Sequence, residues 1–385
     1  DERRVIYVTP LRALSAQVER VLARTFVPLG ATVSSLYGAI GTSTVDDETL
    51  ANADIVVSTP EKFDFALRQD PHVLDDVGLI VLDEGHMIGL GSREIRYEVL
   101  IQRLLRREDA SARRLVCLSA MYNPKDAHFQ DFTAWLRSDV AGNPVHVEWR
   151  PTRQRLAQLD WNPHSNAARL AFLEGEEAFV LRFVEGQPPH SPRRTPFPKD
   201  ETEFCIAAAN AFAREGHNVL VYSPQRSQID PLVREFKDMH QRQYFKDIEV
   251  PKPAELAMAL SIGREWLGEQ HAAVQALEIG VGTHHGALPR PFQSAIEDLL
   301  DKKRLPVVVA SPTLAQGVDL SCSVLLFRAL TRFDPETNKP KLISPAEFAN
   351  VVGRAGRAYV DLDGLVVLPS FEAGWSRDNR HRQFQ

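Results

Sequence analysis

Short apolar runs alternate with amphipathic stretches through both halves of the chain. VIYV (5–8) has the make-up of a buried strand. Thr9 can cap a following helix and Pro10 can open it, with Leu11, Leu14, Val18, Val21 and Leu22 on one helical face. DIVVST (54–59) repeats the scheme, with Pro60 opening the next helix. GLIVLDE (78–84) and RLVCLSA (114–120) are a third and a fourth strand. The second half restarts with HNVLVYSP (217–224) and continues through VVVASP (307–312) and SVLLF (323–327). SPAEFANVVGRAGR (344–357) is the clearest helix entry. Ser344 is its cap, Pro345 its first turn, and Glu347 stands at the third position of a capping box. The alternation predicts parallel α/β sheets, whose ligands bind at the carboxyl edge of the strands.

The rhythm breaks between about Trp149 and Asp200, where EGQPPHSPRRTPFPKD (185–200) is rich in Pro. Turn chemistry of this kind predicts a linker or an exposed insertion. The expected organisation is a first domain over 1–150, a linker or insertion over 151–200 and a second domain over 201–385. The length suffices for two separate cores.

Two adjacent carboxylates, Asp83 and Glu84, end the third strand. Neighbouring strand residues face opposite ways, so such a pair does not serve a core. It suits a metal–phosphate site in which one acid holds Mg²⁺ and the other orients a water. The matching phosphate loop, GxxxxGK[ST], occurs nowhere in the 385 residues. On the helix over 344–357, Asn350, Arg354 and Arg357 are spaced to share one face and form a donor array for a phosphate or carboxylate. Gly353 and Gly356 between them let a ligand or another backbone come close.

Charge and cysteine usage narrow the setting. The net charge of -6 advertises no basic field, though a basic groove can sit on an acidic protein. Cys117, Cys205 and Cys322 lie far apart without metal-ligand spacing, which fits a reducing, cytoplasmic setting. No apolar stretch approaches the length of a membrane span. His284 and His285 are adjacent, point apart and have no third ligand nearby in sequence, so a metal there is disfavoured.

VIYVTPLRAL, VVSTPEKFD, VLDEGH, CLSAMYNP, VLVYSP, THHGALP, VVVASPTLAQGVDL and NVVGRAGRA occur in that order. This series resembles the motifs of superfamily 2 helicases, closest to the DExH-box branch of archaeal DNA-repair helicases and exosome- and spliceosome-associated RNA helicases. The resemblance covers nearly the whole chain. It implies two tandem RecA-like parallel-sheet domains, with ATP and Mg²⁺ in the cleft between them and a single nucleic-acid strand across both. It also implies that the phosphate loop precedes Asp1, so the first domain is expected to be incomplete at its N-terminus.

Carried over by position, the resemblance makes Asp83 the Mg²⁺ ligand through water and Glu84 the residue that polarises the attacking water. His86 couples the nucleotide to the second domain, and Arg354 and Arg357 are arginine fingers. Gly317 and Asp319 approach the nucleotide, as does the glycine at Gly353. Ser119 and Ala120 link hydrolysis to domain movement. Pro10, Arg12, Thr59, Pro60, Ser311 and Thr313 lie along the nucleic-acid track, where phosphate contacts give sequence-independent binding. RALTRFDPETNKPKLIS (328–344) fills the place of a strand-separating hairpin or of a plain loop. Asn350 stands where the family has Gln, and Met121 where it has Thr. The first departure bears on the rate of hydrolysis, the second on its coupling to motion.

The resulting expectation is an ATP-dependent helicase or translocase core that moves 3′ to 5′ on DNA or RNA, cytoplasmic or nucleoid-associated, with no membrane association. Three alternatives stay open: a degenerate helicase fold that clamps nucleic acid or protein, a duplex remodeller that does not separate strands, and a motor subunit serving a nuclease or defence complex.

Overall fold

The structure, a computed structural model, describes residues 3–10, 12–36, 48, 50–85, 87, 92–119, 127–142, 144–145, 152–173, 178–189, 196–244, 251–311, 322–334, 337–356 and 363–371. The chain divides into two compact units, Asp1–Glu148 and Trp149–Gln385.

The first unit carries β1 (Arg4–Val8), β2 (Val33–Ser35), β3 (Ile55–Ser58), β4 (Val77–Leu82) and β5 (Arg114–Cys117). They form one parallel sheet in the order β2-β3-β1-β4-β5. Its helices include α1 (Arg12–Phe26), α2 (Pro60–Gln69), α3 (Ser92–Leu105) and α4 (Ala127–Leu136). All four residues of β3 are buried, as a parallel strand covered on both faces requires. Phe63, Leu74, Leu82, Leu100 and Ile101 fill the core between sheet and helices. Each fully buried side chain of this size contributes about 1.5–3 kcal/mol. β2 and β5 are the edge strands, and Val116 of β5 and the following Leu118 are about two-fifths exposed. The sheet has one strand more than the four expected, because β2 is three residues long and has no apolar run.

The second unit carries β6 (Arg153–Asn162), β7 (Ala167–Phe172) and β8 (Phe179–Glu185), then α5 (Glu201–Arg214), β9 (Val219–Tyr222) and α6 (Ile229–Gln241). α7 (Pro253–Leu267), α8 (Ala272–Leu277), β10 (Val281–His284), α9 (Arg290–Asp301), β11 (Val307–Ala310) and β12 (Val324–Phe327) follow. β13 (Thr331–Asp334) and β14 (Lys339–Leu342) make a separate antiparallel hairpin before α10 (Pro345–Val352) and β15 (Asp363–Ser370). The main sheet runs β10-β11-β9-β12-β15-β6-β7-β8. Its core gathers Leu159, Trp161, Phe204, Val221, Phe236, Val309, Leu326 and Val367.

The segment expected as a linker or insertion over 151–200 supplies three strands of this sheet. β6 pairs in parallel with β15 over eight registered positions, and β7 and β8 extend it antiparallel. The partner that defines β6 lies some two hundred residues downstream, beyond the reach of local pattern. The Pro-rich end closes on itself, through an isolated antiparallel bridge between Gln187 and Phe197.

Candidate functional site

Strand register decides what the first unit gathers at its carboxyl edge. Val8 stands opposite both Ser58 and Leu82, and Leu82 opposite Cys117. The residues that follow, Thr9, Thr59, Asp83 and Leu118, therefore emerge in one row. Backbone bonds extend the register past the strands: Thr9 N–H donates to Ser58 O (2.9 Å), Asp83 N–H to Val8 O (2.8 Å) and Leu118 N–H to Leu82 O (2.9 Å).

Asp83 is held on several sides by neutral donors. Its Oδ2 accepts the Tyr7 hydroxyl at 3.1 Å and its Oδ1 the Glu84 amide at 2.9 Å, while its carbonyl accepts the Tyr97 hydroxyl at 2.8 Å. Burial raises the Asp83 carboxyl above its ordinary value, and the Tyr7 and Glu84 bonds work against that rise. Burial, with the Asp83 charge beside it, pushes the Cys117 thiol up to about 12. The chain then turns sharply. Glu84 adopts φ 51°, a left-handed conformation that is uncommon outside glycine and asparagine. Gly85 follows against Cys117: a Cβ on Gly85 would lie 2.0 Å from Cys117 Sγ. Only a glycine admits this approach, so the turn carrying the acidic pair is fixed by packing against β5.

The two Thr-Pro steps behave differently. Thr59 caps α2, its Oγ1 accepting the Lys62 amide at 3.4 Å, and Pro60 opens the helix as expected. Thr9 is fully buried, and its hydroxyl has no hydrogen-bond partner among the described residues. Among the described residues it makes no capping bond to α1, where the sequence reading expected one. Pro10, Pro60 and Ser311 are buried, and Ser119 is exposed just past β5. Arg12 is the first residue of α1.

In the second unit, His284, Ala310, Tyr222 and Phe327 end their strands in register. Ser311 N–H donates to His284 O at 3.2 Å. The two histidines diverge. His284 Nε2 meets Glu297 Oε1 at 2.9 Å, and Glu297 is also paired with Arg290 at 2.9 Å. His285 Nε2 lies 3.7 Å from Asp230, and burial lowers its pKa. Among the described residues no group of three or more His, Cys, Asp or Glu side chains could hold a metal ion.

α10 ends at Val352, which corrects the expectation of one helical face through 357. Asn350 lies on the helix. Gly353 ends it, and Arg354 lies in the turn beyond, its carbonyl accepting the Cys322 amide at 3.1 Å. Gly356 explains the stop. Its φ is 84°, and an added Cβ would fall 2.2 Å from Thr152 and 3.0 Å from the Gly364 backbone. The chain must leave the helix here to press against β15. The capping box is half realised: Ser344 Oγ accepts the Glu347 amide at 3.1 Å, but the Glu347 carboxylate is directed to Tyr222 and Arg332. The stretch 328–344 contains the β13–β14 hairpin, with Phe333 about half exposed and β14 exposed throughout.

His86, Ala120, Met121, Thr313, Gly317, Asp319 and Arg357 lie outside the described residues. Tyr7, Tyr97 and Glu347 are site residues that pattern reading passed over. The available signal was a phenol inside an apolar strand, VIYV, directly before the Thr-Pro step.

The chain is similar in sequence to known proteins. The family model described as DEAD/DEAH box helicase matches residues 1–128. The Hachiman protein HamB of Bacillus cereus is 28% identical over 97% of this chain and 33% of its own length. The DExH-box ATP-dependent RNA helicase DExH14 of Arabidopsis thaliana is 26% identical over 96% of this chain and 16% of its own. The ATP-dependent DNA helicase Hel308 of Pyrobaculum calidifontis is 27% identical over 97% of this chain and 47% of its own. The chain thus spans less than half the length of each of these relatives. The resemblance read from the motif series, and the mixed α/β fold with parallel sheets that it implied, are both borne out.

Proposed function

We propose, from the premise that the chain is a relative of the superfamily 2 DExH-box helicases, that it is the core of an ATP-dependent helicase or translocase moving 3′ to 5′ on a single strand. The observation that carries the reading is the register of the first sheet, which brings the Thr-Pro steps, the acidic pair and the end of β5 to one edge.

The residues fit a hydrated Mg²⁺. Asp83 offers a hard oxygen donor whose carboxylate is destabilised by burial, so a cation beside it offsets that cost. When bound, Mg²⁺ neutralises charge on the ATP phosphates. The protein's own groups do the rest. Tyr7 and the Glu84 amide hold the Asp83 carboxylate in place, and the turn at Glu84 sets its side chain to polarise the attacking water. Asn350 orients that water. Arg354 and Arg357 stabilise charge on the transferring phosphate, and Gly317, Asp319 and Gly353 border the nucleotide. His86, Ser119 and Ala120 link hydrolysis to movement of the second unit. Pro10, Thr59, Pro60 and Ser311, whose side chains are buried, shape the track along the strand, with Arg12 and Thr313 beside them. Contacts to phosphates make binding independent of sequence, on DNA or RNA. The exposed β13–β14 hairpin, with Phe333, Lys339 and Lys341, is suited to splitting a duplex.

A phosphate loop belongs to this reading. Its pattern, GxxxxGK[ST], does not occur within the 385 residues.

The test is nucleic-acid-stimulated ATPase of the full-length protein beside Glu84→Gln. Loss of the polarising carboxylate is expected to lower turnover by roughly 10²–10⁴. Equal turnover in the two proteins would sink the proposal. A second reading, a degenerate helicase fold that clamps nucleic acid or protein, is motivated by Asn350 and by the lack of GxxxxGK[ST] in this sequence. A full-length sequence that also lacks that loop favours it. A partner subunit such as a nuclease is tested by co-purification.

A further inference from the structure

Glu347 stands where a capping box sends a glutamate back to the N–H of its own cap. Its carboxylate instead spans two distant elements. Oε1 accepts the hydroxyl of Tyr222 at 2.7 Å, and Oε2 lies 3.2 Å from Arg332 Nη1. The two partners differ in kind. Tyr222 ends β9, is 1% exposed and packs edge-on to Phe327, on which Phe348 of α10 stacks at 5.2 Å. That side is rigid core. Arg332 projects from β13, its side chain 43% exposed, on a hairpin whose two strands pair only with each other. At the base, the hairpin is tied by Ile343 N–H to Leu330 O at 2.9 Å.

Glu347 and Asn350 are three residues apart on α10 and share a face. Two residues past the helix end comes Arg354. One carboxylate therefore joins the sheet's carboxyl edge, the exposed hairpin and the short helix that leads to the hydrolysis groups. An exposed guanidinium has an alternative partner whenever a phosphate comes within reach, because both oxyanions accept the same forked donor. Arg332 stands on Glu347 in this structure, and a strand phosphate within reach would offer it a second, discrete partner; a switch of this kind can carry coupling.

We propose that Glu347 is a positioning residue that reports strand occupancy of the β13–β14 hairpin to α10, through transfer of Arg332 from Glu347 to a backbone phosphate. The inference rests on the helicase reading above. With Arg332 withdrawn, Glu347 is held by Tyr222 alone, and α10 resets Asn350 and Arg354 for hydrolysis.

Two measurements on the full-length protein test it. The first is hydrogen exchange without nucleic acid in Arg332→Met. Exchange is expected to rise over 345–354 as well as over 331–342; a rise confined to the hairpin overturns the proposal. The second is the ratio of ATPase with and without a single-stranded oligonucleotide. That ratio is expected to fall roughly threefold to tenfold in Glu347→Gln and in Arg332→Met, with the double variant no worse than either. An unchanged ratio, or strictly additive losses, overturns it. A wild-type protein without any nucleic-acid-dependent ATPase overturns the helicase reading and the positioning role together; exchange that crosses from hairpin to helix then leaves only the structural tie.

Discussion

The carboxyl edges of the two sheets treat an acid withdrawn from water in opposite ways. In the first unit, Asp83 is held by a phenol, an amide and close packing, and its recorded partners among the described residues are neutral. Burial is the largest influence on it, so its carboxyl is raised. In the second unit, Glu297 is more fully buried, but His284 and Arg290 hold it below its ordinary value in spite of that burial. Glu347 is likewise paired with a guanidinium. An acid satisfied by cations of its own fold is structural. An acid kept short of a cation is poised to receive one from a ligand.

The comparison breaks first at the packing that seats Asp83. Gly85→Ala puts a methyl onto Cys117 Sγ, with a calculated approach of 2.0 Å, and is expected to cost about 1–3 kcal/mol. Cys117→Ala removes the obstructing sulfur, so the double variant should recover part of the loss in thermal unfolding. If Gly85→Ala is neutral, or Cys117→Ala gives no rescue, the turn is not held by this contact.

The second test sharpens the electrostatic contrast. The folded form of Asp83 keeps its proton to a higher pH than the unfolded chain does. Stability therefore falls as pH rises from the ordinary carboxylate value through the raised one, and stays lower above it. Asp83→Asn removes that loss, so its melting temperature should exceed wild type at pH 7 and converge with it in acid. Glu297 has the opposite sign. Its contribution is present above the ordinary value and is lost as pH falls through the depressed one. Glu297→Gln should melt below wild type at pH 7 and converge with it in acid. Shifts of the same sign in the two variants end the distinction between the edges.

What was legible in the sequence was local. The apolar strands, the acidic pair at the end of β4 and the Thr59-Pro60 helix start declare themselves within a few residues. What escaped was set by partners far along the chain. β6 reads RQRLAQLDWN, a mixed pattern that becomes a strand because β15 lies beside it. Tyr7 meets Asp83 across 76 residues and Tyr222 meets Glu347 across 125. The end of α10 was misplaced because helical spacing counts residues, whereas the approach of Gly364 to Gly356 decides where the helix can continue. The candidate site was thus readable as a set of strand ends, and the bonds that orient its side chains were not.

The smallest expected effects separate the two Thr-Pro steps of the first edge. Thr59 spends its hydroxyl on the cap of α2, over a long 3.4 Å bond, so Thr59→Ala should cost roughly 0.5–1 kcal/mol. Thr9 buries a hydroxyl without a partner among the described residues, an arrangement that costs about 1–3 kcal/mol relative to a bonded one. Thr9→Val keeps the shape and drops the unsatisfied group, so it should be neutral or stabilising in thermal unfolding. If the row of strand ends is a ligand edge, that hydroxyl is retained for a bound partner, and Thr9→Val will bind single-stranded oligonucleotide more weakly even as the fold gains stability. A variant that loses stability shows instead that the hydroxyl is bonded in the folded protein, and that the first edge is as fully satisfied as the second.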